Sequence, residues 1–197
     1  MPVADTRPQQ LVLASGSARR RDLLRQIGVE PALIDPPHID ERHGPRELPL
    51  AYAERMAHGK LAATAPKHAG CWVLAADTVV ACGRRILPKA ETEAEARACL
   101  TLLSGRRHRV LGGIAIAAPD GRNVQRVVTT VVAFKRLTPR EIDAYIATGD
   151  WHGKAGGYAI QGHAAAFIPW INGSYGNVVG LSLSDTVAML RGLGWQA

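Results

Sequence analysis

Residues 71–81, CWVLAADTVVA, form the most apolar run of the chain and limit what it can fold into more than any other feature. The run is short and ends in β-branched residues, a pattern typical of a central strand that is buried on both faces. Asp77 interrupts it, although a carboxylate in such a strand is unfavourable unless it is paired, hydrogen-bonded or bound to a metal. Some buried aspartates only support a neighbouring loop. Asp77, which Thr78 follows, is still the best candidate in this chain for a catalytic group.

A second unusual stretch, residues 11–24 with the sequence LVLASGSARRRDLL, predicts a short buried strand, a turn with small hydroxyl residues and then a helix. Ser17 is predicted at the N-cap of this helix, where its hydroxyl would accept hydrogen bonds from free N–H groups. Arg19, Arg20 and Arg21 follow in the first helical turns, although the positive end of a helix dipole disfavours cations. A bound anion would remove this conflict, and a solvated basic surface is the alternative interpretation.

Two further helices and a hairpin are predicted from local signals. Thr92 with Glu95 and Thr138 with Glu141 have the spacing of a capping box, which marks the start of a helix. The β-branched runs on either side of an Asp-Gly turn at residues 120–121 predict an antiparallel hairpin. Towards the end of the chain, sequence pattern predicts strands at residues 167–171 and 177–183 and then a last helix.

Two other segments allow more than one interpretation. Lys60 lies on the apolar side of a predicted helix, where the usual explanation is a lysine whose amine reaches solvent past the buried face. Glycines surround Lys154 and Gln161 within residues 153–162, GKAGGYAIQG. Such a segment suits a backbone that approaches a ligand closely, although a flexible loop has the same composition.

Length and cysteine content narrow the class of protein. The 197 residues predict one domain with a sizeable core, and no segment is apolar and long enough to span a membrane. The polar first ten residues do not have the pattern of a secretory signal. Three cysteines, odd in number and without the spacing of zinc ligands, predict a reduced, cytoplasmic protein.

The charge of the chain predicts an anionic partner. The formal net charge is +7 and the isoelectric point is near 9.8, which suits nucleic acid or a small phosphorylated molecule. Aromatic residues make up only 5% of the chain, which disfavours binding of single strands by base stacking. The arginines cluster at turns instead of along one helix face, so no specific nucleic-acid binding is expected.

Spacing excludes several well-known sites. The chain has no phosphate loop of the G-x-x-x-x-G-K-[ST] type, no G-x-G-x-x-G fingerprint, no H-E-x-x-H zinc helix and no G-x-S-x-G elbow. What remains is a set of cations, a hydroxyl-rich turn, Asp77, and the loop pair Asp40-Glu41, whose carboxylates are either metal ligands or solubilising residues. This set suits metal-assisted attack of water on a phosphate ester or anhydride.

The order and spacing of these segments resemble the Maf-like nucleoside triphosphate pyrophosphatases, almost from end to end. The opening signature is residues 13–20, LASGSARR. The other matching segments are Asp40-Glu41, Lys60, residues 76–80 (ADTVV), Lys89, residues 103–105 (LSG), residues 154–162 (KAGGYAIQG), residues 173–175 (GSY) and residues 177–181 (NVVGL). Each segment alone is a weak signal, and together they are highly specific.

The resemblance implies an α/β fold with an elongated mixed sheet flanked by helices, similar to the inosine triphosphatases. Residues 1–197 would form a single domain with two lobes around a central cleft. The implied activity is hydrolysis of a nucleoside triphosphate to the monophosphate and pyrophosphate with a divalent metal cation, Mg²⁺ or Mn²⁺. Residues 154–162 resemble the branch that acts on dTTP and UTP more than the branch that acts on 7-methyl-GTP. A homodimer is compatible with the resemblance.

Carried over position by position, the resemblance implies a role for individual residues. Asp77 matches the proton acceptor that activates water, and Lys60 and Lys89 match catalytic cations placed around the phosphates. Glu41 matches an acid that, with Asp77, helps to hold the metal. The other residues implied to contact the phosphates are Ser15 and Arg20. The residues implied in substrate choice are Arg19, Thr78 and Gln161.

The chain departs from the family pattern at a few positions. These are Ala18, Pro88, Ala90, Gly112 and Gly153. None removes a matched catalytic group, but Pro88 and Ala90 leave the pose of Lys89 open. Two other functions also stay open: a 7-methyl-GTP-type pyrophosphatase, and a non-enzymatic binding protein associated with nucleic acid or with regulation of septation.

Overall fold

The computed structural model describes residues 10–196, which contain nine strands and six α-helices. The strands are β1 (Leu11–Ala14), β2 (Leu33–Ile34), β3 (Trp72–Cys82), β4 (Arg85–Leu87), β5 (Lys89–Ala90), β6 (Arg107–Ala117), β7 (Asn123–Ala133), β8 (Lys154–Ala155) and β9 (Trp170–Asn172). The helices are α1 (Ala18–Gln26), α2 (Pro49–Thr64), α3 (Glu93–Leu103), α4 (Pro139–Thr148), α5 (Tyr175–Val179) and α6 (Leu183–Leu193). Short 3₁₀ turns span Ala65–Lys67 and His163–Phe167.

The main sheet is mixed, as the family resemblance implied, and the α/β class is confirmed. Its strand order is β2-β1-β3-β6-β7-β9, with β4 paired to β3 outside this path. β1 runs parallel to β2 and β3, whereas β3, β6, β7 and β9 pair antiparallel. β5 and β8 form a separate antiparallel pair. The predicted strand at residues 71–81 is confirmed as β3, and residues 72–76 of it are fully buried.

Local signals predicted several elements correctly. Both capping boxes are present, at Thr92 with Glu95 and at Thr138 with Glu141, and they begin α3 and α4. β6 and β7 form the predicted hairpin around the turn at residues 120–121. Each of these signals depends on residues that are close in sequence, which is why they survive the formation of tertiary structure.

The predicted strand at residues 177–183 is wrong. These residues lie in α5 and at the start of α6, because Ser174 caps a helix by accepting a hydrogen bond from the Asn177 N–H at 3.1 Å. The Asn177 amide then donates to the backbone carbonyls of Val110 and Val128, each at 3.1 Å. This buried amide fixes the segment across β6 and β7, so tertiary contacts outweigh the strand preference of its valines.

The hydrophobic core lies on both faces of the sheet. One cluster is rich in aromatic side chains and packs α3 and α4 against the far half of the sheet, with Phe134, Tyr145 and Tyr158 inside it. Another is mainly aliphatic and packs α1 and α6 against β1, β3 and β6. Within residues 10–196, the structure contains no helix with the length and apolar character needed to cross a membrane.

Candidate active site

A gap in the sheet lies beside the middle of β3. On one edge, β1 pairs with residues 72–75 of this strand and β4 pairs with residues 80–82. Between them, in the part of the chain that the structure describes, residues 76–79 have no strand neighbour on that edge. Asp77 and Thr78 lie in this gap, and the loop after β1 and the chain after β4 border it. A cleft of about 530 Å³ opens there, within the range of small-molecule sites.

Two carboxylates and two lysines alternate beside the gap, and we call them the carboxylate–lysine cluster. Lys60 Nζ lies 2.6 Å from Asp77 Oδ1 and 2.8 Å from Glu41 Oε1. Lys89 Nζ lies 2.8 Å from the other oxygen of Glu41. Lys60 and Asp77 are buried, with 7% and 5% of their surfaces exposed, whereas Glu41 and Lys89 face the cleft more openly. The ammonium group of Lys60 therefore lies between the carboxylates of Asp77 and Glu41 and contacts both.

The electrostatics of the cluster keep Glu41 ionised. Burial acts to raise the pKa of Glu41, but hydrogen bonds from Lys60 and Lys89 outweigh it and lower the pKa to about 2. Asp77 uses one carboxylate oxygen for Lys60, and within residues 10–196 the other oxygen accepts no hydrogen bond. That second oxygen is available to a group in the cleft.

Arg20 joins three segments that are distant in sequence. Its guanidinium donates to Ser15 Oγ at 2.7 Å, to Thr78 Oγ1 at 3.0 Å and to the carbonyl oxygen of Gly180 at 3.0 Å. All these acceptors are neutral, and burial lowers the pKa of Arg20. Arg20 therefore brings an uncompensated positive charge to the cleft and also fixes the loop after β1.

The remaining polar residues of the cleft have few partners. Arg19 is half-buried, and its Nε–H donates to no acceptor among the described residues. Lys154 Nζ donates only to the carbonyl oxygen of His152, at 3.0 Å. Burial, together with the positive charge of Arg19, lowers the pKa of Lys154. Gln161 is exposed at the cleft wall. The positive charges of Arg19 and Lys154 are thus close enough to repel each other, and an anion bound between them would compensate both.

The structure brings the residues to which the family resemblance assigned a role into this one cleft. Those that line it are Ser15, Arg19, Arg20, Glu41, Lys60, Asp77, Thr78, Lys89 and Gln161. With Lys154 included, its described walls carry five cationic side chains and two carboxylates. The site therefore has a net positive charge before any ligand binds, and an anion is the complementary ligand.

Three expectations from the sequence need correction. Lys60 does not reach solvent but is buried between Asp77 and Glu41, because those carboxylates compensate its charge. Asp40 does not act with Glu41, because it pairs with Arg42 away from the cleft. Ser17 occupies the N-cap, but its hydroxyl caps nothing; its N–H instead donates to Ser15 Oγ at 3.3 Å.

Lys154 is the cation of the cleft with the weakest signal in the sequence. Its sequence signal was only a lysine among glycines, and the short pairing of β5 with β8 is what places it. In that pairing Lys89 lies opposite Ala155 and Lys154 lies opposite Ala90. The same pairing resolves the pose of Lys89, which follows Pro88 directly and still reaches Glu41.

The donor groups of the cleft fit a divalent cation that is shared with a phosphate ligand. Glu41 and Asp77 are the two carboxylates on its described walls, and Mg²⁺ in phosphate sites is usually held by one or two carboxylates plus phosphate oxygens. Within residues 10–196, no group of three or more His, Cys, Asp or Glu side chains forms a preformed metal cage. The carboxylates also carry the hard oxygen ligands that Mg²⁺ and Mn²⁺ prefer.

Comparisons with known proteins agree on one family. The model of the Maf-like protein family matches residues 10–193 of the chain. A dTTP/UTP pyrophosphatase from Paramagnetospirillum magneticum is 62% identical, over 94% of this chain and 97% of that protein. Proteins with the same name from Rhodospirillum rubrum and Caulobacter vibrioides are 59% and 56% identical, each over 94% of this chain and over 89% and 96% of their own length.

Among solved structures, a nucleoside-triphosphatase or dITP/XTP pyrophosphatase from Mycobacterium abscessus aligns with 66% of this chain and 74% of its own. The TM-score is 0.41 and the sequence identity 16%.

Proposed function

The chain belongs to the family of Maf-like proteins, and from this we propose that it is a nucleoside triphosphate pyrophosphatase acting on dTTP and UTP. The products are the nucleoside monophosphate and pyrophosphate. The observation that carries the proposal is Asp77, a buried carboxylate beside a gap in the sheet, in the wall of a cleft with an excess of cations. The relatives named dTTP/UTP pyrophosphatase support the reaction and the choice of substrate.

The cations of the cleft match the charge of a triphosphate. Arg20, Lys60 and Lys89 are placed to contact phosphate oxygens, and Ser15 is held beside them by Arg20. Negative charge grows on the leaving pyrophosphate as the bond to the α-phosphorus breaks, and fixed cations stabilise that charge without reorganising. We assign Lys60 and Lys89 this catalytic role, and Lys154 the role of a further phosphate contact.

Asp77 acts as the general base. Its free oxygen accepts a proton from water, the water oxygen bonds to the α-phosphorus, and the bridging oxygen leaves with pyrophosphate. Lys60 orients Asp77 through the 2.6 Å contact to its other oxygen. A divalent cation, Mg²⁺ or Mn²⁺, would be held by Glu41 and Asp77 and would withdraw charge from the phosphate oxygens.

We assign substrate choice to Gln161, Arg19 and Thr78. Gln161 carries an amide that can donate to and accept from the edge of uracil or thymine. Arg19 has an unpartnered Nε in the same cleft. Thr78 already bonds to Arg20 and to the carbonyl oxygen of Gly180, at 3.4 Å, so its contribution is to shape the wall.

The deciding experiment is to incubate the pure protein with each nucleoside triphosphate and Mg²⁺ or Mn²⁺ and to measure the phosphate product. We expect pyrophosphate, with UTP and dTTP turned over faster than CTP, GTP and 7-methyl-GTP. Release of orthophosphate would indicate a different phosphatase chemistry. A preference for 7-methyl-GTP would assign the chain to that branch. Binding without turnover would leave the non-enzymatic function as the better description.

We also propose the compartment and the assembly state of the enzyme. All three cysteines are free thiols in the described chain, which suits a reduced, cytoplasmic protein. We also propose a homodimer, as the family resemblance allows. Size-exclusion chromatography with light scattering tests the second proposal, because a monomer and a dimer of a 21.1 kDa chain are well separated.

A further inference from the structure

The segment that carries Glu41 has almost no backbone support of its own. It connects β2 to α2 and contains no helix or strand between residues 35 and 48. Within the described chain, residues 36–43 make no backbone–backbone hydrogen bond. A segment of this kind usually moves, yet the Glu41 carboxylate must stay between Lys60 and Lys89 for the cluster to exist. Something other than regular structure must therefore hold it.

Two side chains of α2 bind the backbone of this segment. The Tyr52 hydroxyl donates to the carbonyl oxygen of Glu41 at 2.6 Å. Arg55 Nη2 donates to the carbonyl oxygen of Arg42 at 3.0 Å. Tyr52 and Arg55 are three positions apart, so they lie on the same face of the helix, and the guanidinium also lies over the Tyr52 ring.

The contacts continue on both sides of Glu41. Arg55 pairs with both oxygens of Glu47, each at 2.7 Å, and Glu47 accepts the N–H of Gly44 at 2.8 Å. Hydrogen bonding to Arg55 lowers the pKa of Glu47 to about 2, so this pair stays charged. On the other side, a Cβ built on Gly59 would lie 3.3 Å from Ile39 Cδ1, so the absence of a side chain there allows close packing.

We propose that Tyr52 and Arg55 are positioning residues that fix Glu41 between Lys60 and Lys89 by holding the carbonyl groups of residues 41 and 42. The inference rests on the proposed function, in which Glu41 helps to hold the metal. Its carboxylate also contacts both lysines. Tyr52 is not itself a catalytic residue. It lines a separate hollow of about 420 Å³ that has Glu41, Asp77 and Lys89 in common with the cleft.

Helix α2 carries Lys60 and also the two side chains that hold the backbone beside Glu41. One rigid element therefore positions both Glu41 and the lysine that contacts it at 2.8 Å.

Steady-state kinetics test the proposal through Tyr52→Phe, which removes only the hydroxyl. We expect kcat to fall about tenfold with an unchanged thermal unfolding midpoint, because a small misplacement of a reacting group is costly. Tyr175→Phe is the matched control, since that exposed hydroxyl makes no hydrogen bond among the described residues. Arg55→Lys should act in the same direction, because lysine cannot reproduce the two-pronged contact with Glu47.

A double-mutant cycle shows whether Tyr52 acts through Glu41. In a Glu41→Gln background, Tyr52→Phe should reduce kcat by less than about twofold, because the group it positions is already altered. An equal loss in both backgrounds overturns the proposal.

Amide hydrogen exchange gives a readout that does not depend on activity. Residues 38–44 should exchange faster in Tyr52→Phe and Arg55→Lys than in the wild type, while the amides of α2 do not change. Unchanged exchange in residues 38–44 overturns the proposal even if kcat falls. If the wild type has no pyrophosphatase activity, the proposed function fails, and the exchange experiment still decides whether Tyr52 and Arg55 hold the segment.

Discussion

Two parts of the same cleft wall differ in whether their positively charged side chains contact carboxylates. In the carboxylate–lysine cluster, each ammonium group touches at least one carboxylate oxygen within 2.8 Å. The other part consists of Arg19, Arg20 and Lys154, which we call the unpaired cations. Within the described chain, none of these three lies within 4 Å of a carboxylate.

The difference separates two tasks that an active site must perform. A buried ion pair fixes orientation but adds little net attraction for a ligand, since each charge already has its partner. Unpaired cations keep their attraction for a ligand, and the folded protein bears the cost of their burial and mutual repulsion. The cluster is therefore suited to chemistry, and the unpaired cations to binding. The predictions below test this division.

The largest effect is expected from Asp77→Asn, which leaves a group of the same size in the cluster. Turnover should fall by about a thousandfold or more, because the amide cannot accept the proton of water. Nucleotide binding should be largely retained, since the unpaired cations are unchanged. Pyrophosphate release and calorimetric titration with UTP measure the two properties separately. Asp120→Asn, at an exposed turn, is the control for loss of one negative charge.

Near-wild-type turnover of Asp77→Asn would remove this residue from the mechanism. Loss of binding together with turnover would show that the cluster also supplies affinity, and the proposed division would then be wrong.

Acidification should destabilise the side of the cleft that carries Lys154 and Gln161 before it affects the cluster. Tyr158 lies between these residues in sequence, and its hydroxyl hydrogen-bonds the buried His108 at 2.7 Å. Burial lowers the pKa of His108 to about 4, so the unfolded chain binds a proton that the folded protein excludes. The free energy of unfolding should therefore fall between pH 6.5 and about 4, by about 3 kcal/mol in total.

Urea unfolding at a series of pH values measures this loss. His108→Gln keeps a hydrogen-bonding group next to Tyr158 but does not titrate, so its free energy of unfolding should fall by about 3 kcal/mol less than that of the wild type over the same range. The pKa of Glu41, about 2, places the loss of the cluster at lower pH. Equal pH dependence in the variant and the wild type would show that other groups cause the loss.

Lys154→Gln should affect binding and leave chemistry almost unchanged. We expect KM for UTP to rise about tenfold and kcat to change less than threefold, because the lysine contributes one charge to ground-state and transition-state binding alike. The ratio of the KM of Lys154→Gln to that of the wild type should shrink as salt is added, since salt screens the exposed part of this interaction. Lys67→Gln, which changes the same charge outside the cleft, is the control. A fall in kcat with constant KM would move Lys154 into the catalytic set.

The smallest effect is expected from Gln161→Ala. Because this amide is exposed and free, its removal should not change stability, and it should reduce the preference for UTP over CTP by a few-fold. Specificity constants for dTTP, UTP, CTP and GTP measure the effect. An unchanged preference would show that another residue reads the base.

Site residues could be predicted from the sequence where a charged residue is unfavourable in its local environment. Asp77 is a carboxylate in an otherwise largely apolar strand, and the arginines of α1 lie at the positive end of a helix dipole. Both conflicts pointed to residues that the structure places in the cleft. The family resemblance added Lys89, Glu41 and Gln161, which have no such local signal.

What could not be predicted depends on partners that are distant in the chain. Lys60 has the pattern of a lysine that reaches solvent, and only the presence of Asp77 and Glu41 keeps it buried. Asp40 and Glu41 are adjacent and equivalent in sequence, and their separation follows from the contacts that hold the backbone around them. In an irregular segment, the direction of a side chain is determined by tertiary contacts.

The three bonds of Arg20 also determine when the cleft can form. Arg20 and Gly180 are 160 positions apart, so their contact cannot exist until nearly the whole chain has been synthesised. Translation delivers β1, α1 and β3 first, and contacts of long sequence separation form slowly. A chain that stops before residue 180 therefore contains the strand that carries Asp77, together with Ser15 and Thr78, but not a finished site for a nucleotide.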